Sequence, residues 1–340
     1  MDLLEQLINA FGVSGNEEEV RKMIIKEIKN YVHSIHIDKL GNLIAYKRGK
    51  PPRVMLAAHM DEIGLIVKNV ESHGKIFFSV IGGIDPISLI GQRVSIKTNF
   101  APIYGVITTN DLSNSFSINT IPKINELFVD AGLTQKEIIK RGVRTGDYIF
   151  FKRRMINLGN KDILSGKALD DRIGCYILVE LAKRLKKTKD EIYFTFTVQE
   201  EIGLYGSKTS AYAIKPDWAI AVDVTNADDF DENATIKMGQ GPCITIKDAE
   251  MVSNRVIDDH LRKLAKNNRI PLQLDVSDFG TTDALSISIS HGGVPSTSVT
   301  VPVRNLHTTI GMASRKDIEN AIKLLELLLK NPPKIKSEEL

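Results

Sequence analysis

The chain has 340 residues, enough for more than one domain core, and its 42% apolar and 26% charged content fits a folded globular protein rather than a disordered one. The formal charge is only +3, and its 45 basic and 42 acidic side chains are interspersed, so there is no basic stripe for nucleic acid. No run is long enough to span a bilayer, the opening MDLLEQLINAFGVSGNEEEV lacks the plan of a secretion signal, and Cys175 and Cys243 stand far apart outside any CxxC spacing; together these predict a reducing, cytoplasmic setting.

Ser14 and Glu17 have the spacing of a capping box, and Val20, Met23, Ile24, Ile28 and Tyr31 recur behind them at helical spacing, which predicts an amphipathic helix. Two strands, Ile35 to Asp38 and Leu43 to Tyr46, are predicted around a Gly41-Asn42 turn. Val54 to Ala58 (VMLAA) is continuously apolar, as in a strand covered on both faces. From residue 68 to 161 the texture changes to short β-prone pieces such as KIFFSVI, RVSIKT and DYIFFK broken by Gly, Pro and Asn, which predicts an inserted small β-barrel domain. Helix and strand then alternate again: a helix over Asp171 to Leu185, strands over Ile192 to Val198 and Trp218 to Val224, and a helix over Asn254 to Lys266. A strand over Ser296 to Val301 and a helix over Asp317 to Leu329 follow. The architecture predicted is a mixed-sheet α/β domain formed by residues 1–67 and 162–340 and interrupted by that barrel, with a frayed tail in PPKIKSEEL.

Ligand sites in open α/β sheets gather beyond the carboxyl ends of the strands, and here those ends are polar. VMLAA leads into His59-Met60-Asp61-Glu62, IYFTFTV into Gln199-Glu200-Glu201, WAIAV into Asp223, and STSVTVPV toward His307; Asp170-Asp171 stands just before a helix. Two imidazoles with several carboxylates make a mixed N/O site, suited to zinc, cobalt or manganese more than to calcium or magnesium. Two His and three acids suffice for two divalent metal ions sharing one carboxylate. Asp61 has a further reading, as acceptor of the other ring N–H of His59. Glu200 and Glu201 diverge in direction, so one can bind metal while the other serves as general base; an isolated EE could equally begin a solvated turn. Asp171 fits a helix cap, whereas a charge at Asp223 directly after WAIAV calls for a buried partner. Cys175 reads as a small core residue, and His33, His36, His73, His260 and His291 as structural or exposed.

Taken in order, AAHMDEIG, GKALDDRIG, TVQEEIGLYGS, AVDVT, GTTDA and PVRNLHTT resemble the family of tetrahedral, cobalt- or zinc-dependent aminopeptidases, whose members have also been labelled glutamyl aminopeptidases and endoglucanases. The likeness covers nearly the whole chain, including GGIDPISLIGQRV and ELFVDAGL in the insert. It implies that His59 and Asp223 hold one metal ion, Glu201 and His307 the other, and Asp170 both, with Glu200 as general acid/base and Asp61 orienting His59. It also implies a peptide substrate, a dimerising insert, and a homo-oligomer from dimer up to dodecamer; the charge distribution and the lack of a spanning run predict no nucleic-acid or membrane partner. Relatives commonly show Arg-Tyr-x-His-Ser and Gly-Gly-Thr-Asp where this chain has Arg304-Asn305-Leu306-His307-Thr308 and Gly280-Thr281-Thr282-Asp283. Those departures bear on the substrate pocket rather than on the ligands. Two rival readings are a metal-independent glycosidase with paired carboxylates and an inactive peptide-binding scaffold.

Overall fold

The computed structural model describes residues 2–113, 120–232 and 234–335, so the end of the tail expected to fray and part of the 68–161 segment lie outside the described residues. Helices α1 (Leu3–Asn9) and α2 (Glu18–Ile28) lead into strands β1 (Ser34–Ile37), β2 (Leu43–Lys47) and β3 (Lys50–His59). Six strands follow, interspersed with short helices: β4 (Gly64–Val70), β5 (Ile76–Ile81), α3 (Pro86–Leu89), β6 (Arg93–Ile96), β7 (Ile103–Thr109), β8 (Leu127–Asp130), α4 (Gln135–Lys140) and β9 (Tyr148–Phe151). The chain continues through β10 (Ile156–Asn157), β11 (Ile163–Gly166), α5 (Leu169–Arg184), β12 (Asp190–Thr197), α6 (Tyr205–Ile214), β13 (Trp218–Asn226) and β14 (Cys243–Lys247). It closes with α7 (Arg255–Asn267), β15 (Gln273–Val276), α8 (Asp283–Ser288), β16 (Ser296–Arg304), β17 (Gly311–Ser314) and α9 (Arg315–Lys330).

β4 to β9 close a barrel in the order β4-β5-β8-β7-β6-β9, every pair antiparallel, around an apolar core of its own that includes Leu65, Ile76, Val94 and Ile149. The other strands form one mixed sheet of 11 strands with β12, β3, β13 and β16 parallel at its centre. Alternate side chains of β3 go to opposite faces: Val54, Leu56 and Ala58 join the core with α5 and α9, while Met55 and Ala57 join the one with α6 and α8. That two-sided burial is why VMLAA carries no polar alternation. Because the four central strands are parallel, their carboxyl ends, and the polar residues that follow them, come to one edge.

The capping box expected at Ser14 and Glu17 does not form. The helix begins only at Glu18, so Glu17 is the N-cap, without a side-chain cap bond; Ser14 stands three residues before it, and its hydroxyl donates to Asp61 Oδ2 at 2.6 Å. The Gly41-Asn42 turn gains a role beyond the hairpin. Asn42 accepts from Val198 N at 3.1 Å and donates to Gly206 O at 2.9 Å, clamping the two ends of the 199–205 turn. A Cβ at Gly206 would overlap the Val198 carbonyl oxygen and the Asn42 side chain, so Gly206→Ala is expected to cost about 1–3 kcal/mol in chemical denaturation. An unchanged unfolding midpoint would show that this clamp yields easily.

Candidate active site

The five ligand candidates converge at the edge where the parallel strands end. His59 Nε2 lies 2.9 Å from Asp170 Oδ1 and 3.9 Å from Asp223 Oδ1, while His307 Nε2 lies 3.3 Å from Asp170 Oδ2 and 3.9 Å from Glu201 Oε2. His59, Asp170 and Asp223 form one group and Asp170, Glu201 and His307 a second, each with its ligand atoms within 4.8 Å of one another. Asp170 belongs to both and turns one oxygen to each imidazole.

This donor set fits divalent cations. A tetrahedral shell with metal–ligand bonds of about 2.1 Å has edges of about 3.4 Å, and the separations of 2.9–3.9 Å bracket that value. Glu201 Oε1 is buried with no hydrogen-bond partner, as expected of an oxygen reserved for a cation. Charge points the same way. Burial, then Asp170, push Glu201 up to about 8 and Asp223 up to about 7. Burial opposes protonation of His59, yet Glu200, Asp170 and Asp61 around it hold the imidazole well above its ordinary value. The bond to Asp170 lifts His307 to about 9, and Asp170, against the effect of burial, is held low by its bonds to His307 and His59. Asp61, Asp170, Asp171, Glu200, Glu201, Asp223 and Asp283 crowd around two imidazoles here, so without cations some of them must hold protons.

Glu200 belongs to neither group, although its Oε2 lies 3.8 Å from His59 Nε2, as near as Asp223. Burial raises its carboxyl well above the usual range, an effect that His59 offsets and Asp223 reinforces. Asp61 acts more widely than a single ring contact. Its Oδ1 accepts from Glu200 N at 3.1 Å and its Oδ2 from Glu201 N at 3.2 Å, while the nearer partner of His59 Nδ1 is the Asp61 carbonyl at 3.2 Å, with Oδ1 at 3.5 Å. One buried carboxylate therefore fixes the turn that carries both glutamates. Asp171 accepts from Gly174 N at 2.9 Å, the helix-cap role, and also from His59 N at 3.2 Å. Gln199, Asn305 and His307 have positive φ, so the backbone is held in a sparsely populated region beside the ligands. The Asp170-Asp171 peptide is cis.

Beneath the site, Lys167 Nζ lies 2.6 Å from Glu62 and Arg172 3.2 Å from it, and both cations also donate to backbone carbonyls of the 7–12 segment. Cys175 is buried and donates to His59 O at 3.1 Å, and Cys243 is also buried and unpaired. His33, His260 and His291 contact backbone N or O atoms away from the cluster.

Sequence patterns missed several residues. Ser14 read as a helix cap; Asp283, buried and bonded to Thr197 Oγ1 at 2.5 Å, was part of a quoted motif without a role; and Gly82 and Gly83, which follow the barrel strand β5, lie against Glu201 and His307. A cavity of about 540 Å³ opens from the cluster and reaches Thr225, Asp248 and Asp275, with Thr281 on its wall. Asn305 lies in a smaller recess beside His307. Among the described residues, no helix is long and apolar enough to cross a membrane.

The profile of the M42 glutamyl aminopeptidase family matches residues 41–324. A protein of Acetivibrio thermocellus described provisionally as an aminopeptidase is 43% identical over 327 residues, 95% of this chain and 96% of that protein. An aminopeptidase of the archaeon Desulfurococcus kamchatkensis superposes with a TM-score of 0.93 at 34% identity, covering 97% of this chain and 94% of its own. The Pyrococcus horikoshii TET1 peptidase, described as able to assemble into a tetrahedron or a large octahedral shell, superposes with a TM-score of 0.88 at 31% identity, covering 97% and 98%.

Proposed function

This chain belongs to the M42 glutamyl aminopeptidase family, and on that premise we propose that it removes the N-terminal residue of short peptides with two divalent cations, zinc or cobalt. His59 and Asp223 would hold one cation, Glu201 and His307 the other, and Asp170 both. Its class is that of a metal-dependent aminopeptidase, a hydrolase. The observation that carries the reading is the split of Asp170, one oxygen toward each imidazole.

Cations at these positions supply a polarised scissile carbonyl and a water acidic enough to attack it near neutral pH. Glu200 takes the proton of the attacking water and passes it to the leaving amine; it suits that work because it lies beside the cluster without being one of its ligands. Asp61 keeps Glu200 and Glu201 in place through their backbone amides, and Ser14 holds Asp61. A glycosidase needs two carboxylates facing one bond across 5 Å or more, whereas the acids here interleave with imidazoles at shorter range. The barrel is proposed as a contact between copies in a homo-oligomer, in keeping with the assembly described for the horikoshii protein. Two buried, unpaired thiols suit a cytoplasmic enzyme.

Metal removal tests this reading. A chelator should abolish hydrolysis of amino-acid anilides, and zinc or cobalt should restore it. Cation uptake must displace protons from Asp223 at about 7, Glu201 at about 8 and His307 at about 9, so affinity should rise from pH 6 to 9. Calorimetry at pH 7 in buffers of different ionisation enthalpy should register protons released. Full activity after exhaustive chelation would remove the cations from the account.

A further inference from the structure

The cavity that opens from the cluster is lined in part by two buried acids. Asp248 is 5% exposed and Asp275 6% exposed, both line it, and no cationic side chain pairs with either carboxylate among the described residues. Asp275 Oδ2 accepts from Thr225 Oγ1 at 2.8 Å. Asp248 uses Oδ1 for Glu250 N and Met251 N, leaving Oδ2 with one long bond from Thr281 at 3.4 Å. Burial and the charge of Asp248 raise the Asp275 carboxyl, against the bond from Thr225. A buried carboxylate without a cation is costly, and two in one cavity more so, unless a ligand supplies the charge.

We propose that this cavity receives the side chain of the substrate's N-terminal residue and that Asp248 and Asp275 select a basic one, lysine or arginine. The inference rests on the aminopeptidase reading and deepens it. The strand provides a ruler. Thr225 lies two residues beyond Asp223 on the same face of β13, roughly 6.6 Å along it, and holds Asp275 by its hydroxyl. An extended lysine side chain spans roughly 6 Å from Cα to Nζ. A residue whose backbone sits at the cluster therefore has a side chain long enough to bring its ammonium level with Thr225, the residue that holds Asp275. The hydroxyls of Thr225 and Thr281 fix the two carboxylates without neutralising them. A glutamyl side chain would bring a third carboxylate against two unpaired ones, so the family's name does not predict the preference of this chain.

The test uses the full-length protein loaded with zinc or cobalt and the p-nitroanilides of lysine, norleucine and glutamate. Norleucine matches the lysine stem without its charge. Lysyl substrate should exceed norleucyl in kcat/KM by at least about tenfold, with glutamyl lowest. Asp275→Asn, or Asp248→Asn where the first does not fold, should cut the lysyl-to-norleucyl ratio by about tenfold. Equal kcat/KM for lysyl and norleucyl substrates, or a ratio unmoved by both variants, overturns the pocket assignment while the aminopeptidase stands. Failure of the loaded protein to hydrolyse any of the three overturns the assignment together with the reading beneath it.

Discussion

Glu200→Gln is expected to lower kcat by about 10³-fold or more while both metal ions stay bound. The substitution keeps the shape of the side chain and removes only its ability to accept and return a proton. Glu200 is not one of the two ligand groups, and its neighbour Glu201 is, so the pair gives an internal control. Glutamine at 200 should leave metal content by atomic emission at the wild-type value; glutamine at 201 should not. The backbone amide of residue 200 still donates to Asp61, so the turn should hold its place. KM should move little, because the lost interaction belongs to the proton in flight rather than to the bound peptide. A variant retaining a tenth of wild-type turnover would assign the proton to another group.

The candidate site was legible in the sequence where a local signal existed. Each of His59, Asp223, Glu201 and His307 follows an apolar run, and a break from burial to polarity at a strand end can be read without knowing the pairing. The mixed sheet and the texture of the barrel were legible for the same reason, although the barrel order β4-β5-β8-β7-β6-β9 depends on pairings far apart in sequence. What stayed hidden was set by tertiary contact alone. Asp275 sits in QLDV, a strand of 4 residues, and its meaning comes from Thr225, which is 50 residues away. Ser14 matched a capping pattern, and nothing local shows that Asp61 would capture its hydroxyl. Asp61 itself read as a partner of one ring nitrogen because His-x-Asp is a near neighbour in sequence, while its two bonds to the 200–201 amides cross 139 and 140 positions.

Asp170→Asn is expected to have the larger effect on the centre as a whole, lowering metal content to one ion or none and turnover by more than about 10³-fold. An aspartate can face two cations because each oxygen accepts; an asparagine turns an NH₂ donor to one side and carries no charge. The loss should extend past the ligand count. Asp170 is also the group whose bond raises His307, so His307 should titrate at lower pH in the metal-free variant, visible by NMR of the imidazole. Its charge is among those that raise Glu201 and Asp223, and both should then ionise more readily. Asp223→Asn touches only one of the two groups and should spare the cation held by Glu201 and His307. If Asp170→Asn bound two cations as tightly as the unaltered protein, the two groups would not share a ligand, and the paired arrangement of the centre would have to be abandoned.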